Sequence, residues 1–387
     1  MTFLRSILQR QLSSSQPKSY IPIDFAVKSF CCHRVDEHVV RGRDDTMDVP
    51  PFASRFSESE LGGHLLACAD EDGSVTLHDT RKYGHKSILK EWTAHHNAIF
   101  DIAWMEGEPK LITASGDQTA ILWDVERGER LSEFKGHSCS LKSVNFRKND
   151  IFTFGTGARD GNIMIWDIRC NRRSDFYKPV NIIHNAHTIQ LNGTPQRVRK
   201  RSRRGSAVQA NTDSQQSVPA IIFQDDNKLI SAGAMDGNIK VWDLRKTYTT
   251  LRCEPMYYHL FPYPGNEPRR HGFSSLVLDS NQSKLYASCT NDRIYMYDCT
   301  VFKESPVYSF TGHQNSTFYV KATLSPDGNY LLSGSSDNDA YIWNVNVPQA
   351  PPMMLKGHMG EVTSVAWCPV DIGKLVTCSD DNNVRIW

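Results

Sequence analysis

The chain has 387 residues, of which 39% are hydrophobic and 22% charged, and its 44 basic and 43 acidic side chains give a net charge of +1. This balance excludes a globally disordered chain and a uniformly basic nucleic-acid binder. No apolar run approaches the roughly 18 residues of a membrane span, so no membrane partner is expected. The length fits two or three average domains or one large repeat architecture.

The N-terminal segment, residues 1–51, opens with basic residues (Arg5, Arg10 and Lys18) and has no acid before Asp24. This composition is typical of a mitochondrial presequence, although a short disordered or capping tail is the preferred interpretation. The ten cysteines form no C-x-x-C pair, and most lie in apolar strand-like segments. They are expected to be reduced and buried, without a metal site.

Internal repeats dominate the rest of the chain. Seven segments align with one another: EDGSVTLHD (71–79), GDQTAILWD (116–124), RDGNIMIWD (159–167), MDGNIKVWD (235–243), TNDRIYMYD (290–298), SDNDAYIWN (336–344) and DDNNVRIW (380–387). A Gly-His or Ala-His pair precedes five of them, and in four the His stands 28 to 30 residues before the Trp. The exception is His187, which precedes Trp242 by 55 residues because a polar insert occupies residues 188–217. Each unit reads as four short antiparallel strands.

The seven units resemble WD repeats, which implies an all-β, seven-bladed WD-repeat β-propeller over residues 52–387. In that family a His, a turn Asp, a strand Ser or Thr and the Trp are linked by hydrogen bonds within each blade. The residues carried over to these structural positions are His95, Asp117, Trp123, His137, Asp160, His187, Asp236, His313, Asp337, Trp343, His358, Asp381 and Trp387. Two blades depart from the pattern: the fifth has Asn291 and Tyr297, and the first has His78 in place of Trp.

Closure of the ring requires an outer strand for the last blade, because the sequence stops at Trp387, where the third strand should end. Residues 20–32 of the N-terminal segment are apolar enough to supply it. The alternative is that the natural chain continues, which the abrupt end favours.

Two consecutive blades end in a W-D-x-R motif, Trp166-Asp167-Ile168-Arg169 and Trp242-Asp243-Leu244-Arg245. In a propeller the His loop and the turn Asp lie on one face, here called the top face, and the segment after Trp-Asp lies on the bottom face. The two arginines are therefore expected side by side on the bottom face, where a planar guanidinium suits carboxylates or carbonyls of a partner. For a single motif the alternative is an arginine that caps its own blade.

These motifs look like those with which WD-repeat receptors dock on DNA damage-binding protein 1, the adaptor of cullin-4 RING ubiquitin ligases. The stretches KEWTAHHNAIFDIAW (90–104), KGHSCSLKSVNF (135–146), GHQNSTFYVKATLSPDG (312–328) and EVTSVAWCP (361–369) are similar to the denticleless family. The resemblance implies a non-catalytic substrate receptor that assembles with the adaptor, cullin-4 and its RING subunit. It implies clients bound to PCNA, in replication, the cell cycle and the DNA damage response. The implied location is the nucleus, on chromatin, with a cytoplasmic or centrosomal pool as an alternative.

The insert at 188–217 holds the concentrated charge of the chain, six basic residues within eight positions: Arg197, Arg199, Lys200, Arg201, Arg203 and Arg204. We interpret it as a solvated top-face loop that carries a nuclear localisation signal. Contact with DNA or with acidic parts of a client is an alternative, as is a charge without a receptor. Ser206, in Arg-Arg-Gly-Ser, is a candidate phosphorylation site.

Catalytic motifs offer no support for an enzyme, because the P-loop, H-E-x-x-H, G-x-S-x-G and complete G-x-G-x-x-G patterns are missing from the sequence. No metal or nucleotide cofactor is implied. The alternative function is a WD-repeat scaffold that binds chromatin or histone peptides on the top face, which would not require the paired W-D-x-R motifs.

Overall fold

The computed structural model describes residues 30–43, 47–58, 62–173, 175–187, 216–246, 248, 255–265 and 271–387. Strands are numbered in chain order, beginning with β1 (Glu37–Val39), which follows a 3-10 helix at Arg34–Asp36. A second 3-10 helix lies at Gly84–Ser87. Among the described residues no helix is long and apolar enough to cross a membrane.

The first three blades are four-stranded antiparallel sheets, each in sequence order from the channel outwards. The first contains β2 (Pro51–Phe56), β3 (Leu65–Asp70), β4 (Ser74–Asp79) and β5 (Ile88–Thr93). The second contains β6 (Ile99–Trp104), β7 (Lys110–Ser115), β8 (Thr119–Asp124) and β9 (Glu129–Lys135). The third contains β10 (Leu141–Arg147), β11 (Asp150–Ala158), β12 (Ile163–Asp167) and β13 (Asn181–Ile183).

The next three blades repeat this order. The fourth contains β14 (Ala220–Phe223), β15 (Lys228–Ala232), β16 (Ile239–Asp243) and β17 (His259–Phe261). The fifth contains β18 (Phe273–Leu278), β19 (Lys284–Cys289), β20 (Arg293–Asp298) and β21 (Tyr308–Phe310). The sixth contains β22 (Ala322–Leu324), β23 (Tyr330–Ser333), β24 (Ala340–Asn344) and β25 (Met353–Leu355).

The seventh blade joins the two ends of the described chain. It contains β26 (Val362–Trp367), β27 (Leu375–Ser379) and β28 (Asn383–Ile386), and β1 pairs antiparallel with β28 as the outer strand. The prediction of a seven-bladed propeller is confirmed.

The closing strand lies at Glu37–Val39 and not in residues 20–32, whose described part, 30–32, contains no strand. An outer strand faces solvent on one side, so a polar sequence suits it better than the apolar stretch did. Arg385 of β28 donates to Glu37 at 2.6 Å, which adds a charged link to the backbone pairing. The apolar stretch still contributes packing, because the Phe30 ring lies 6.0 Å from that of Trp367, edge to face.

The apolar core lies between neighbouring blades. The cluster of Ala67, Leu77, Ile102, Leu111 and Trp123, for example, joins the first blade to the second. Burial of each large side chain contributes about 1.5–3 kcal/mol, so the sheets are held face to face around the ring. Five of the nine described cysteines are buried in this core.

Candidate functional site

Hydrogen-bond chains link the predicted structural residues in four blades. In the third blade the Trp166 indole donates to Thr156 at 2.8 Å, and His137 bridges Thr156 at 2.8 Å and Asp160 at 3.0 Å. Three other blades hold the same chain, with these members: Trp123, Thr113, His95 and Asp117; Trp242, Ser231, His187 and Asp236; Trp387, Thr377, His358 and Asp381. These histidines are hydrogen-bonded within their own blades, so their role is structural.

In these four blades burial by itself would raise the pKa of the turn aspartate, but the paired histidine, together with other hydrogen bonds, more than offsets it. The pKa of Asp160 is held below its ordinary value in this way by His137 and by backbone N–H groups. The pKa of Asp381 falls to about 2, because burial is outweighed by hydrogen bonds from His358 and the Met359 amide. The aspartates are thus acceptors at neutral pH, which orients each imidazole towards its strand hydroxyl.

The sixth blade departs from the prediction. His313 is buried, but neither ring nitrogen has a hydrogen-bond partner among the described residues, and burial lowers its pKa to about 4. Asp337 instead accepts the Tyr341 hydroxyl at 2.6 Å, and the Trp343 indole donates to the Thr311 carbonyl at 2.9 Å. The expected link between His313 and Asp337 was wrong, because Tyr341, two residues before the Trp, reaches the aspartate first.

The two degenerate blades also lack the chain. Asn291 of the fifth blade donates to the hydroxyls of Tyr263 and Tyr295 at 3.0 and 2.8 Å. His78 of the first blade is buried beside His38, with ring centroids 5.1 Å apart, and burial lowers the pKa of His78 to about 3. A neutral ring therefore fills the space of the missing tryptophan.

The two W-D-x-R motifs form identical forks. Arg169 donates through Nε and Nη2 to both oxygens of Asp167, at 2.9 and 2.8 Å. Arg245 makes the same pair of bonds to Asp243, also at 2.9 and 2.8 Å. The backbone N–H of each arginine also donates to its aspartate. Each arginine therefore does cap its own blade, as the alternative interpretation held.

The forks still leave donors for a partner. The arginine side chains remain 54% and 69% exposed, whereas their aspartates are nearly covered. Of the five guanidinium N–H groups, the fork uses two, and Arg169 adds a longer bond to Asp150 at 3.3 Å. The intervening Ile168 and Leu244 pack against the blade cores, which fixes the turn. The guanidinium groups are thus held in one orientation, and within the described residues no hydrogen bond is formed by either Nη1.

The structure contains a third fork that the W-D-x-R motif did not predict. Arg81 donates to both oxygens of Asp79 at 2.9 and 3.1 Å in the first blade, and its side chain is 59% exposed. The search required Trp-Asp, and this motif reads His78-Asp79-Thr80-Arg81. Because the fork needs only Asp and Arg two residues apart, a search for D-x-R at the ends of third strands would have found it.

Exposed apolar side chains are spread over the same face as these forks. Six lie where strands meet the bottom face: Tyr83, Phe152, Tyr258, Val301, Val347 and Val370. The Arg169 guanidinium lies 5.0 Å from the centre of the Phe152 ring, a cation–π contact. Below the channel the inner strands also line a cavity of about 380 Å³, with Arg55, Trp104 and Lys148 in its wall. A face that combines exposed apolar groups with oriented cations is suited to protein docking.

The other predicted site residues lie outside the described part of the chain. The basic residues from Arg197 to Arg204 and Ser206 all fall within 188–215. Within the described residues, no three His, Cys, Asp or Glu side chains are grouped to hold a metal ion.

The WD domain, G-beta repeat family matches residues 86–124, 128–167, 207–243, 304–344 and 350–387, which together cover half of the chain. The match omits the core of the two degenerate blades. Denticleless protein homolog B of Xenopus laevis is 54% identical over 367 residues, covering 95% of this chain and 52% of the relative. The human denticleless protein homolog is 51% identical over 370 residues, covering 95% and 50%.

Protein lethal(2)denticleless of Drosophila melanogaster is 43% identical over 352 residues, covering 89% of this chain and 45% of the relative. The chain thus spans about half the length of the curated relatives it matches. On the propeller geometry and the repeat match, this chain belongs to the WD-repeat family, and its relatives over nearly its whole length are denticleless proteins.

Proposed function

We propose that this chain is the substrate-recognition subunit of a cullin-4 RING ubiquitin ligase. Its bottom face docks on the adaptor, DNA damage-binding protein 1, and its top face presents PCNA-bound replication and cell-cycle proteins. The observation that carries the proposal is the pair of exposed, oriented arginine forks on the adjacent third and fourth blades. The chain supplies no catalytic group and acts by proximity, because a bound client has a high effective concentration near the charged ubiquitin enzyme.

The fork geometry suits a docking contact. Asp167 and Asp243 already fix the arginine rotamers, so little side-chain entropy is lost when a partner binds. The open guanidinium edges can donate to a carboxylate or to backbone carbonyls of the adaptor. Phe152, which the Arg169 guanidinium contacts, adds apolar area at the same place.

We also propose that the chain acts in the nucleus, on chromatin during replication or DNA damage. The six basic residues between Arg197 and Arg204 are the proposed localisation signal. Phosphorylation of Ser206 would offset about two of these charges and weaken import. Unchanged import of a Ser206→Asp variant would remove this role of the serine.

The test is capture of the purified adaptor by the wild-type chain and by a variant with Arg169→Ala and Arg245→Ala. We expect the adaptor affinity to fall by about 30-fold or more, as when charge contacts at an interface are truncated. The thermal midpoint should fall only slightly, because ion pairs of exposed arginines contribute little to folding. The matched control is Arg127→Ala, on the same face of the second blade, where the guanidinium is 3.9 Å from Asp124 and makes no fork.

Undiminished capture by the double variant, with the adaptor bound normally by wild type, would remove the role given to the forks. If the wild-type chain fails to capture the adaptor, the ligase-receptor function is wrong, and the chromatin or histone-peptide scaffold becomes the better description.

A further inference from the structure

Three inner strands and the segment that leads into a fourth bring aromatic and basic side chains together at the top opening of the central channel. Phe52, Phe100 and Tyr319 come from the first, second and sixth blades, and their ring centroids are 5.8 to 6.0 Å apart. The ring planes lie within 17° of one another. Lys142, from the third blade, completes the group, which we call the mouth cluster: Phe52, Phe100, Lys142 and Tyr319.

Lys142 is a cation without a counter-charge. Its Nζ lies 3.2 Å from the centre of the Phe100 ring and 5.3 Å from that of Tyr319. Burial, reinforced by the positive charges of Arg159 and Lys321, lowers its pKa to about 8. Among the described residues no carboxylate forms an ion pair with it. The cation–π contact offsets only part of the cost of removing an ammonium group from water.

Lys321, at the same opening, differs from Lys142 because its ammonium group has hydrogen-bond partners. Its Nζ contacts an Asp101 oxygen at 2.9 Å and the Phe100 carbonyl at 2.7 Å. This bridge runs from the sixth blade to the second, beside the mouth cluster. The Tyr319 side chain remains exposed, so the cluster is accessible from the top face.

The charges beside the mouth cluster favour an acidic partner segment over a basic one. A basic segment would meet Lys142, Arg159 and Lys321, whereas an aspartate or glutamate would supply the missing partner of Lys142. Glu361, at the top of the neighbouring seventh blade, is already engaged by Thr317 and Ser336. Tyr319 remains 42% exposed, so its ring is accessible to an apolar side chain of the incoming segment.

We propose that the mouth cluster binds an extended client segment, with an Asp or Glu side chain paired to Lys142 and a neighbouring apolar side chain against the three rings. This inference rests on the proposed function, since it names the chemistry that the top face reads in a client. Aromatic–apolar contact supplies affinity, and the charge pair sets the register of the segment.

The test selects short random peptides displayed on phage against the intact wild-type chain and against its Lys142→Met variant. We expect Asp or Glu next to an apolar residue to be enriched on the wild-type chain only. A selected peptide should bind the Lys142→Met variant about tenfold or more weakly, with partial recovery in Lys142→Arg, which keeps the positive charge. The control is Lys148→Met, a lysine just beyond the bottom end of the same strand, which should bind as wild type does.

Selected peptides without acidic enrichment would overturn the inference, as would acidic peptides that bind Lys142→Met as well as wild type. The Tyr319→Ala variant provides a second check, because its exposed side chain can be removed without opening the core, and it should weaken the same peptides. Adaptor capture is measured on the same preparations. If the wild-type chain captures the adaptor but selects no acidic peptides, only the mouth cluster is refuted. If the wild-type chain fails to capture the adaptor but binds acidic peptides in a Lys142-dependent way, only the ligase assignment is refuted.

Discussion

Removal of one strand hydroxyl should destabilise the fourth blade far more than the sixth. Ser231 accepts the Trp242 indole N–H at 2.8 Å and bonds to His187 at 2.7 Å. Ser231→Ala leaves both groups buried without a partner. At about 1–3 kcal/mol for each of the two unpaired buried groups, the expected loss of unfolding free energy is about 2–6 kcal/mol. Most of the loss comes from the unpaired indole N–H and imidazole nitrogen, and much less comes from the lost hydroxyl itself.

The sixth blade provides a matched control, because Ser333 is equally buried but donates only to the Gly334 carbonyl, at 2.9 Å. Ser333→Ala should therefore cost about 1 kcal/mol. Ser231→Thr should retain most of the stability, since Thr113, Thr156 and Thr377 hold this position in three other blades. Urea unfolding followed by tryptophan fluorescence measures all three variants. Equal losses of unfolding free energy for Ser231→Ala and Ser333→Ala would show that the unpaired Trp242 and His187 groups are not the cause.

Three further outcomes are expected. Arg81→Ala should weaken adaptor capture less than the double variant of Arg169 and Arg245 does, because the first blade is not adjacent to the third and fourth. An adaptor affinity equal to that of wild type would exclude Arg81 from the interface. A chain that begins at residue 41 lacks β1, so the edge of β28 is left unpaired. Compared with a chain that begins at residue 30, it should have a lower thermal midpoint and more self-association by light scattering. If the two chains behave alike, β1 does not have the closing role. Burial raises the pKa of Asp70 from 3.8 to about 6. The folded chain therefore holds this proton longer than the unfolded chain does, and stability falls as the pH rises through that window. Asp70→Asn, which keeps the acceptor for the Ser74 amide, should raise the thermal midpoint above pH 6 and leave it unchanged near pH 4; an equal shift at both values would contradict the assignment.

The blade hydrogen-bond chains were predictable because every link is local. His137, Thr156, Asp160 and Trp166 lie within one blade, so regular spacing along the sequence places them at bonding distance. The same reasoning failed for His313, where the competing Tyr341 changes the partner of the aspartate although Asp337 keeps its distance of six residues from the Trp. Spacing identifies the positions of a motif, whereas the side chains beside it decide which bonds form.

Features that depend on ring closure could not be found in this way. Phe52, Phe100 and Lys142 occupy the same irregular position of the first three inner strands, and Tyr319 precedes the inner strand of the sixth blade. The repeat therefore relates three of these positions, but it does not fix which side chains occupy them. Their convergence follows from the radius of the ring and from the rotamers at its centre. The closing strand was misplaced for a related reason: Glu37–Val39 pairs with a strand more than 340 residues away, so its short polar sequence carries no local signal.

The two faces can serve different partners because their chemistry is self-contained. Each fork is formed by residues two apart, such as Asp167 and Arg169, and depends on nothing across the channel. The mouth cluster lies at the top of the inner strands, and none of its four residues lines the bottom cavity. Groups that share no contacts contribute nearly independently to the binding free energy. Under the proposed function, client binding on the top face would therefore vary without weakening adaptor binding on the bottom face, as presentation by proximity requires.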